Sequence, residues 1–180
     1  MSPLRPSLLL ALVAAAVAVG ALAIASSAST PATGSALAKI TPDRVDGVHL
    51  GDTHADLRAR GKVGPIQPGC EFGGPNTRSA RLRAPLHGSV NYTLTNPRRV
   101  TVINITGGAA ARGVGIGATI AQIKAKFPHA KVTHKTDEVF QLTLVRTPRR
   151  PVSGRRITFG VSTNTHKTTI IGVPGIAFCE

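Results

Sequence analysis

A stretch of fifteen residues occurs twice in this sequence, and that recurrence restricts the fold more than any other feature. GVHLGDTHADLRARG covers Gly47–Gly61, and GVGIGATIAQIKAKF covers Gly113–Phe127, 66 residues later. Gly47, Val48, Gly51, Thr53, Ala55 and Ala59 return as Gly113, Val114, Gly117, Thr119, Ala121 and Ala125. A second pair, NPRRVTVINITG (residues 96–107) and NTHKTTIIGVPG (residues 164–175), follows at an offset of 68. Two blocks in one order at nearly equal offsets predict a tandem duplication, with copies at 40–108 and 109–180 sharing one compact domain.

Each copy carries the same local signals. A short apolar approach (Val48, Leu50; Val114, Ile116) ends at a glycine, and a short helix follows. Thr53 with Asp56, and Thr119 with Gln122, have the spacing of a capping box, in which side chains answer the free N–H groups of the first turn. Asp reaches less far than Glu, so the first box is the weaker. Ala55, Leu57 and Ala59, and Ile120, Ile123 and Phe127, are the expected buried contacts. Gly61 and Pro128 stop helices too short to persist alone, so they must pack on a sheet. Alternation predicts strands over 80–86, 89–95 and 99–106, with turns at His87-Gly88 and Asn96-Pro97. In the second copy Phe140, Leu142 and Leu144 share one strand face, as do Ile157, Phe159 and Val161, with Pro148–Gly154 as the hairpin. The predicted class is α+β: two tandem repeats, each a short helix followed by about three antiparallel strands. They form a sheet with helices on one face and solvent on the other.

The recurring Gly-Val-x-Leu/Ile-Gly-x-Thr-x-Ala-x-Leu/Ile-Arg/Lys-Ala-Arg/Lys run resembles the repeats of small secreted actinobacterial proteins of unknown function. More distantly it is similar to beta-lactamase-inhibitory-protein-like and SmpA/OmlA-like repeats. The resemblance covers the fifteen residues of each copy and the strand order after them. It implies short helices on an antiparallel sheet, and a role as an inhibitor of a secreted enzyme or as an envelope assembly factor. It brings no catalytic residues. The chain departs from these families by lacking a lipobox cysteine and an aromatic-rich sheet face.

Leu8–Ala25 runs 18 residues without a charge, between a segment holding Arg5 and a Ser-, Ala- and Thr-rich stretch. This is the pattern of a secretory signal. Cleavage is expected after Ala28, with Ala25 and Ala38 as alternatives and an uncleaved membrane anchor as the rival. Residues 1–28 are then a signal peptide, 29–39 a flexible leader, and the location is secreted or extracytoplasmic. In an oxidising compartment the two cysteines, Cys70 and Cys179, are expected to pair.

Twenty-two Lys+Arg against 8 Asp+Glu give a formal charge of +14, and removing residues 1–28 takes away only Arg5. Aromatics are 3%, so stacking platforms for single-stranded nucleic acid or sugars are disfavoured. The charge points instead to an anionic cell-envelope polymer or an acidic secreted protein. Basic residues cluster as Arg78, Arg81 and Arg83; as Arg98 and Arg99; and as Arg146, Arg149, Arg150, Arg155 and Arg156. The last two clusters are the candidate anion-binding residues, against the alternative of a solubilising surface.

Other chemistry is poorly supported. His49, His54 and Asp52 lack a further converging ligand once Asp56 caps a helix, so no metal is expected. Gly113, Gly115 and Gly117 misplace the third glycine of a dinucleotide-binding fingerprint, so no cofactor is expected. Ser89, Ser153 and Ser162 sit in no nucleophile elbow. Glu71 and Glu180 adjoin the cysteines, a placement that suits a solvated rim or acid–base work. The expectation is a monomeric, non-enzymatic, secreted basic binding module. The alternative is a secreted inhibitor of an extracellular enzyme.

Overall fold

A computed structural model describes residues 37–69 and 76–178. The expected signal and most of the leader, Cys70, Cys179, Glu71 and Glu180 lie outside the described residues. In chain order the elements are β1 (Ala38–Thr41), β2 (Arg44–Val45), β3 (Val48–His49), α1 (His54–Ala59), β4 (Gln67–Pro68), β5 (Arg78–Arg81), β6 (His87–Tyr92) and β7 (Val100–Gly107). Then come β8 (Ala109–Ala111), β9 (Val114–Gly115), α2 (Ile120–Lys126), β10 (Lys131–Thr133), α3 (Asp137–Phe140), β11 (Leu142–Arg146), β12 (Thr158–Ser162) and β13 (Thr168–Val173). No helix among the described residues is long and apolar enough to cross a membrane.

The glycine-containing blocks form tight hairpins. Asp46 and Gly47, at φ 42° and 76°, turn β2 into β3, and Val45 faces Val48. Arg112 and Gly113, at φ 51° and 79°, turn β8 into β9, and Ala111 faces Val114. Positive φ at both central positions is the geometry that two-residue hairpins require. Each hairpin is then tied to a later strand. Gly51 N–H donates to Val100 O (2.8 Å) and Val100 N–H to Asp52 O (2.9 Å). In the second half, Gly117 N–H donates to Thr168 O and Thr168 N–H to Ala118 O, both at 2.8 Å.

Both threonines cap. Thr53 Oγ1 accepts from Asp56 N–H at 3.2 Å and donates to the Asp56 carboxylate at 2.6 Å, so the short acid answers the hydroxyl. Thr119 Oγ1 accepts from Gln122 N–H at 3.3 Å, and Gln122 Oε1 accepts from Thr119 N–H at 2.9 Å, which completes the box. Leu57 and Ile123 are fully buried, whereas Ala55 and Ala59 are exposed, contrary to expectation. A helix of six residues turns only one narrow stripe inward, and Leu57 occupies it.

Two sheets form rather than one. Eight strands make an antiparallel sheet in the order β10-β11-β12-β13-β7-β6-β5-β4, and five short strands make a second, β3-β2-β1-β8-β9. β1 runs antiparallel to β2 and parallel to β8, so it joins the two hairpins. In the middle of the large sheet Gly172 faces Asn104, flanked by Ile171 opposite Ile105 and Val173 opposite Ile103. The register slips between Asn91 and Tyr92 in β6, and between Gly160 and Val161 in β12. One core fills the space between the layers. Val45, Val48, Leu57 and Ile123 meet Val90, Ile103, Phe159 and Ile171 there, and Phe127 packs on Phe159 at 5.7 Å. Burial of such side chains supplies about 1.5–3 kcal/mol each.

The α+β class holds, and three local expectations are corrected. The second face of the large sheet is not left to solvent. Residues 174–178 fold across it, with the Asn104 amide donating to Ala177 O (3.1 Å) and accepting from Ala177 N–H (3.3 Å). Phe178 stacks on Phe140 at 4.3 Å. Gly172 permits this crossing, because a Cβ there would stand 2.1 Å from Gly175 O. Leu144 and Val145 are consequently both buried although they point to opposite faces. Second, Phe140 ends the one-turn helix α3, and the left-handed Gln141 (φ 52°) starts the chain into β11. Asp137 and Glu138 open that helix, and Thr143 Oγ1 donates to Asp137 Oδ1 at 3.0 Å. Third, the turn predicted at His87-Gly88 falls at residues 83–86, where Leu86 N–H donates to Arg83 O (3.2 Å). His87 and Gly88 instead form an irregularity in β6. A Cβ on Gly88 would lie 2.0 Å from Asn104 O.

Candidate functional site

The seven arginines singled out in the sequence separate by what they touch. Arg98 Nη1 donates to Thr93 O (2.9 Å) and Asn76 O (3.1 Å), and Arg99 Nη1 donates to Gly51 O (3.0 Å). Both guanidinium groups therefore satisfy backbone carbonyls and fasten the Asn96-Pro97 turn. Arg150 and Arg155 both reach Asp43, at 3.3 and 3.2 Å, which neutralises part of one side of the basic loop. The guanidinium groups of Arg146, Arg149 and Arg156 make no hydrogen bond or ion pair among the described residues.

These three line one cleft of about 620 Å³ together with Lys131 and His129. The cleft is built by β10, β11 and the loop that follows. Lys131 on the edge strand β10 faces Arg146 on β11, two like charges in direct register. Such cross-strand pairs are destabilising without a counter-ion. The loop is pinned at its base by Thr147, whose N–H donates to Ile157 O and whose Oγ1 accepts from Ile157 N–H, both at 2.9 Å. That buried clasp sets Arg146 and Arg156 on either side of the loop's base, and Arg149 sits further along it. Partial burial, and then the neighbouring charges of Arg149 and Arg146, push the Arg156 guanidinium below its ordinary pKa range. The guanidinium stays charged at any ordinary pH, so this shift, led by burial and then by the neighbouring charges, brings no neutralisation.

Among the described residues no carboxylate and no aromatic ring other than His129 lines the cleft. It therefore offers a base or a sugar one imidazole and no series of stacking rings. Its donors are planar guanidinium forks, which match the oxygens of phosphate or carboxylate. A concave surface lined by one sign of charge also concentrates the field that draws in a counter-ion.

The remaining sequence candidates have local partners. Asp52 accepts from Arg60 at 2.6 Å and from His49 N–H at 2.9 Å. His54 is half-buried, with Nε2 3.2 Å from Gly64 O and its ring edge-on to Tyr92 at 5.5 Å. Asp56 is occupied by the Thr53 cap. Among the described residues no three His, Cys, Asp or Glu side chains are grouped to hold a metal. Gly113 and Gly117 serve backbone turns at φ 79° and 85°. Tyr92 Oη is buried without a hydrogen-bond partner among the described residues, and burial pushes the phenol up to about 12. Lys131 and His129 were not picked out by the sequence reading. The signal available was the alternation in Lys131-Val132-Thr133, but only the register with β11 puts Lys131 beside Arg146.

No protein-family model, curated protein or solved structure matches this chain.

Proposed function

We propose that the protein is a secreted, non-enzymatic, basic binding module. It holds anionic groups of a cell-envelope polymer, or of an acidic secreted protein, in the cleft of Lys131, Arg146, Arg149 and Arg156. The observation that carries this reading is the convergence of four cations on one cleft without an acidic partner among the described residues. Folding alone gains nothing from that crowding, and an anion would relieve it.

The same reading takes the chain as two tandem repeats behind a cleaved signal. Support comes from the matching hairpins 66 residues apart and from the equivalent bonds at Gly51/Val100 and Gly117/Thr168. A second reading, a secreted inhibitor of an extracellular enzyme, is favoured by Val152, fully exposed in the basic loop. Such a loop tip could enter an enzyme's cleft.

The test is retention of the exported protein on isolated cell envelopes. Salt should release it, because exposed contacts are screened. Replacing Arg146, Arg149 and Arg156 by Gln should lower retention at least tenfold, and replacing Arg81 and Arg83 should not. Retention that survives both high salt and the triple substitution would sink the proposal. A salt-resistant one-to-one complex with a single secreted enzyme would favour the inhibitor.

A further inference from the structure

A second cationic cleft adjoins the first. It has a volume of about 680 Å³ and carries Lys39, Arg112 and Arg150. His129, Thr147 and Pro148 line both clefts, so they form the divide between them. Arg149 and Arg150 are consecutive, and one lines each cleft. The second cleft is less bare than the first. Asp43 holds Arg150 at 3.3 Å, and Arg112 lies over the Phe127 ring at 5.1 Å while donating to Lys126 O at 3.3 Å. Among the described residues no carboxylate lines it.

We infer that the two clefts form one groove for a linear polyanion with repeating phosphate groups, which crosses the divide at His129, Thr147 and Pro148. This deepens the proposed function and rests on it. The first step is charge matching. One phosphate group carries about two negative charges at most, and the first cleft alone presents four cations. A single small anion leaves that cleft positively charged, and a chain of phosphates does not. The second step is size. Each cleft falls within the range of about 300–1,000 Å³ that holds a drug-sized ligand. Two such clefts side by side suit several units of a chain. The third step is direction. The cations of the first cleft come from β10, β11 and both limbs of the loop. A tetrahedral phosphate offers oxygens out of any one plane to forks arriving from several sides, whereas the two oxygens of a carboxylate accept within one plane. With no stacking ring beyond the shared His129 and Phe127, the groove reads charge and spacing along a backbone rather than bases.

The experiment measures binding of the mature protein to orthophosphate, tripolyphosphate, long-chain inorganic polyphosphate and poly-glutamate across a salt series. Long-chain polyphosphate should bind at least tenfold tighter than tripolyphosphate. Its salt slope should be about 4, at roughly 0.7 per flexible-chain contact for the six cations that Asp43 does not hold. The Lys39→Gln, Arg112→Gln, Arg150→Gln variant should drop that slope to about 3, the value for the first cleft alone. Its far-ultraviolet spectrum and melting curve establish that it is folded. An unchanged slope and affinity in this folded variant overturns the second cleft's role. Equal affinity for poly-glutamate overturns the phosphate preference. Should the second-cleft variant fail to fold, the comparison of tripolyphosphate with long-chain polyphosphate decides alone, and equal affinities overturn the inference. Loss of binding in the Arg146→Gln, Arg149→Gln, Arg156→Gln variant supports the first cleft independently of these results. No binding of any probe by the unaltered protein would overturn the inference and the underlying function together.

Discussion

In the first half of the chain Asp43, Asp46, Asp52 and Asp56 all have partners: Arg150 and Arg155, Lys62, Arg60, and the Thr53 cap. The positions 66 residues later are Ala109, Arg112, Ala118 and Gln122. Every one of those acids is missing from the second half. A second difference lies in one connection. Arg81 on β5 faces Ser89, and Arg146 on β11 faces Thr158, so the two arginines hold corresponding places. Residues 82–88 join the first pair of strands and 147–157 the second, a loop longer by four residues. The extra length brings Arg149 and Arg156 to the cleft. Two similar frames thus differ in where their charges go: the four aspartates of the first half all sit beside partners, two of them arginines of the second half, while Arg146, Arg149 and Arg156 have no acidic partner among the described residues.

Paired substitutions test how far the frames correspond. The largest effects belong to Leu57→Ala and Ile123→Ala, the fully buried side chains of α1 and α2. Each should cost about 2–5 kcal/mol in denaturant unfolding. A gap between them beyond about 2 kcal/mol, on that same scale, would break the correspondence.

The next effect belongs to the first half. The register puts Val161 where Tyr92 stands, since each follows the same slip in its strand. The folded protein holds the Tyr92 proton up to about pH 12, while the unfolded chain releases it near pH 10. Between these values the folded state binds more protons, so stability is intact below pH 10 and falls as pH rises through 12. The loss is at most about 3 kcal/mol. Tyr92→Phe should remove this alkaline slope and be neutral or stabilising at pH 7, because its hydroxyl has no partner to lose. Identical slopes in both proteins would refute the assignment.

The caps come third. Thr53→Ala and Thr119→Ala should each cost about 1 kcal/mol. Thr119 should be the costlier, since its complete box is dismantled. The reverse order would show that the Thr53–Asp56 contact outweighs a backbone bond. The smallest effect is on stability at the cleft. Arg146→Gln removes the like-charge pair with Lys131 and should raise stability by about 0.2–1 kcal/mol at low salt. The same change in the first half, Arg81→Gln, should leave stability unaltered, and an equal gain there would erase the contrast.

Local signals in the sequence were enough for both caps and the strand around Phe159, because spacing over a few residues decides them, whereas the hairpins turning at Asp46-Gly47 and Arg112-Gly113 read only as apolar approaches to a glycine. Phe140 was misassigned for a physical reason. A single helical turn placed before a strand looks like alternation until Gln141 adopts a left-handed backbone. The covered second face was illegible because it depends on Gly172 admitting a chain that returns across it. The site was legible only as a run of arginines. What separates Arg150 from Arg149 is Asp43, more than a hundred residues away in sequence, and composition holds no trace of that pairing. Arg98 and Arg99 looked equally available and prove to be struts for a turn.

The meeting of β13 and β7 around the Gly172/Asn104 pair has a further consequence. On the proposed duplication, the large sheet reads β10-β11-β12-β13 from one side and β4-β5-β6-β7 from the other, so corresponding strands meet antiparallel at the centre. That is the self-complementary contact of a two-fold symmetric dimer, here contained in one chain. Either half alone would expose an apolar strand edge that pairs best with a copy of itself. Joining the copies covalently fixes the stoichiometry, and it frees one of them to shed its acids without forcing the same change on its twin.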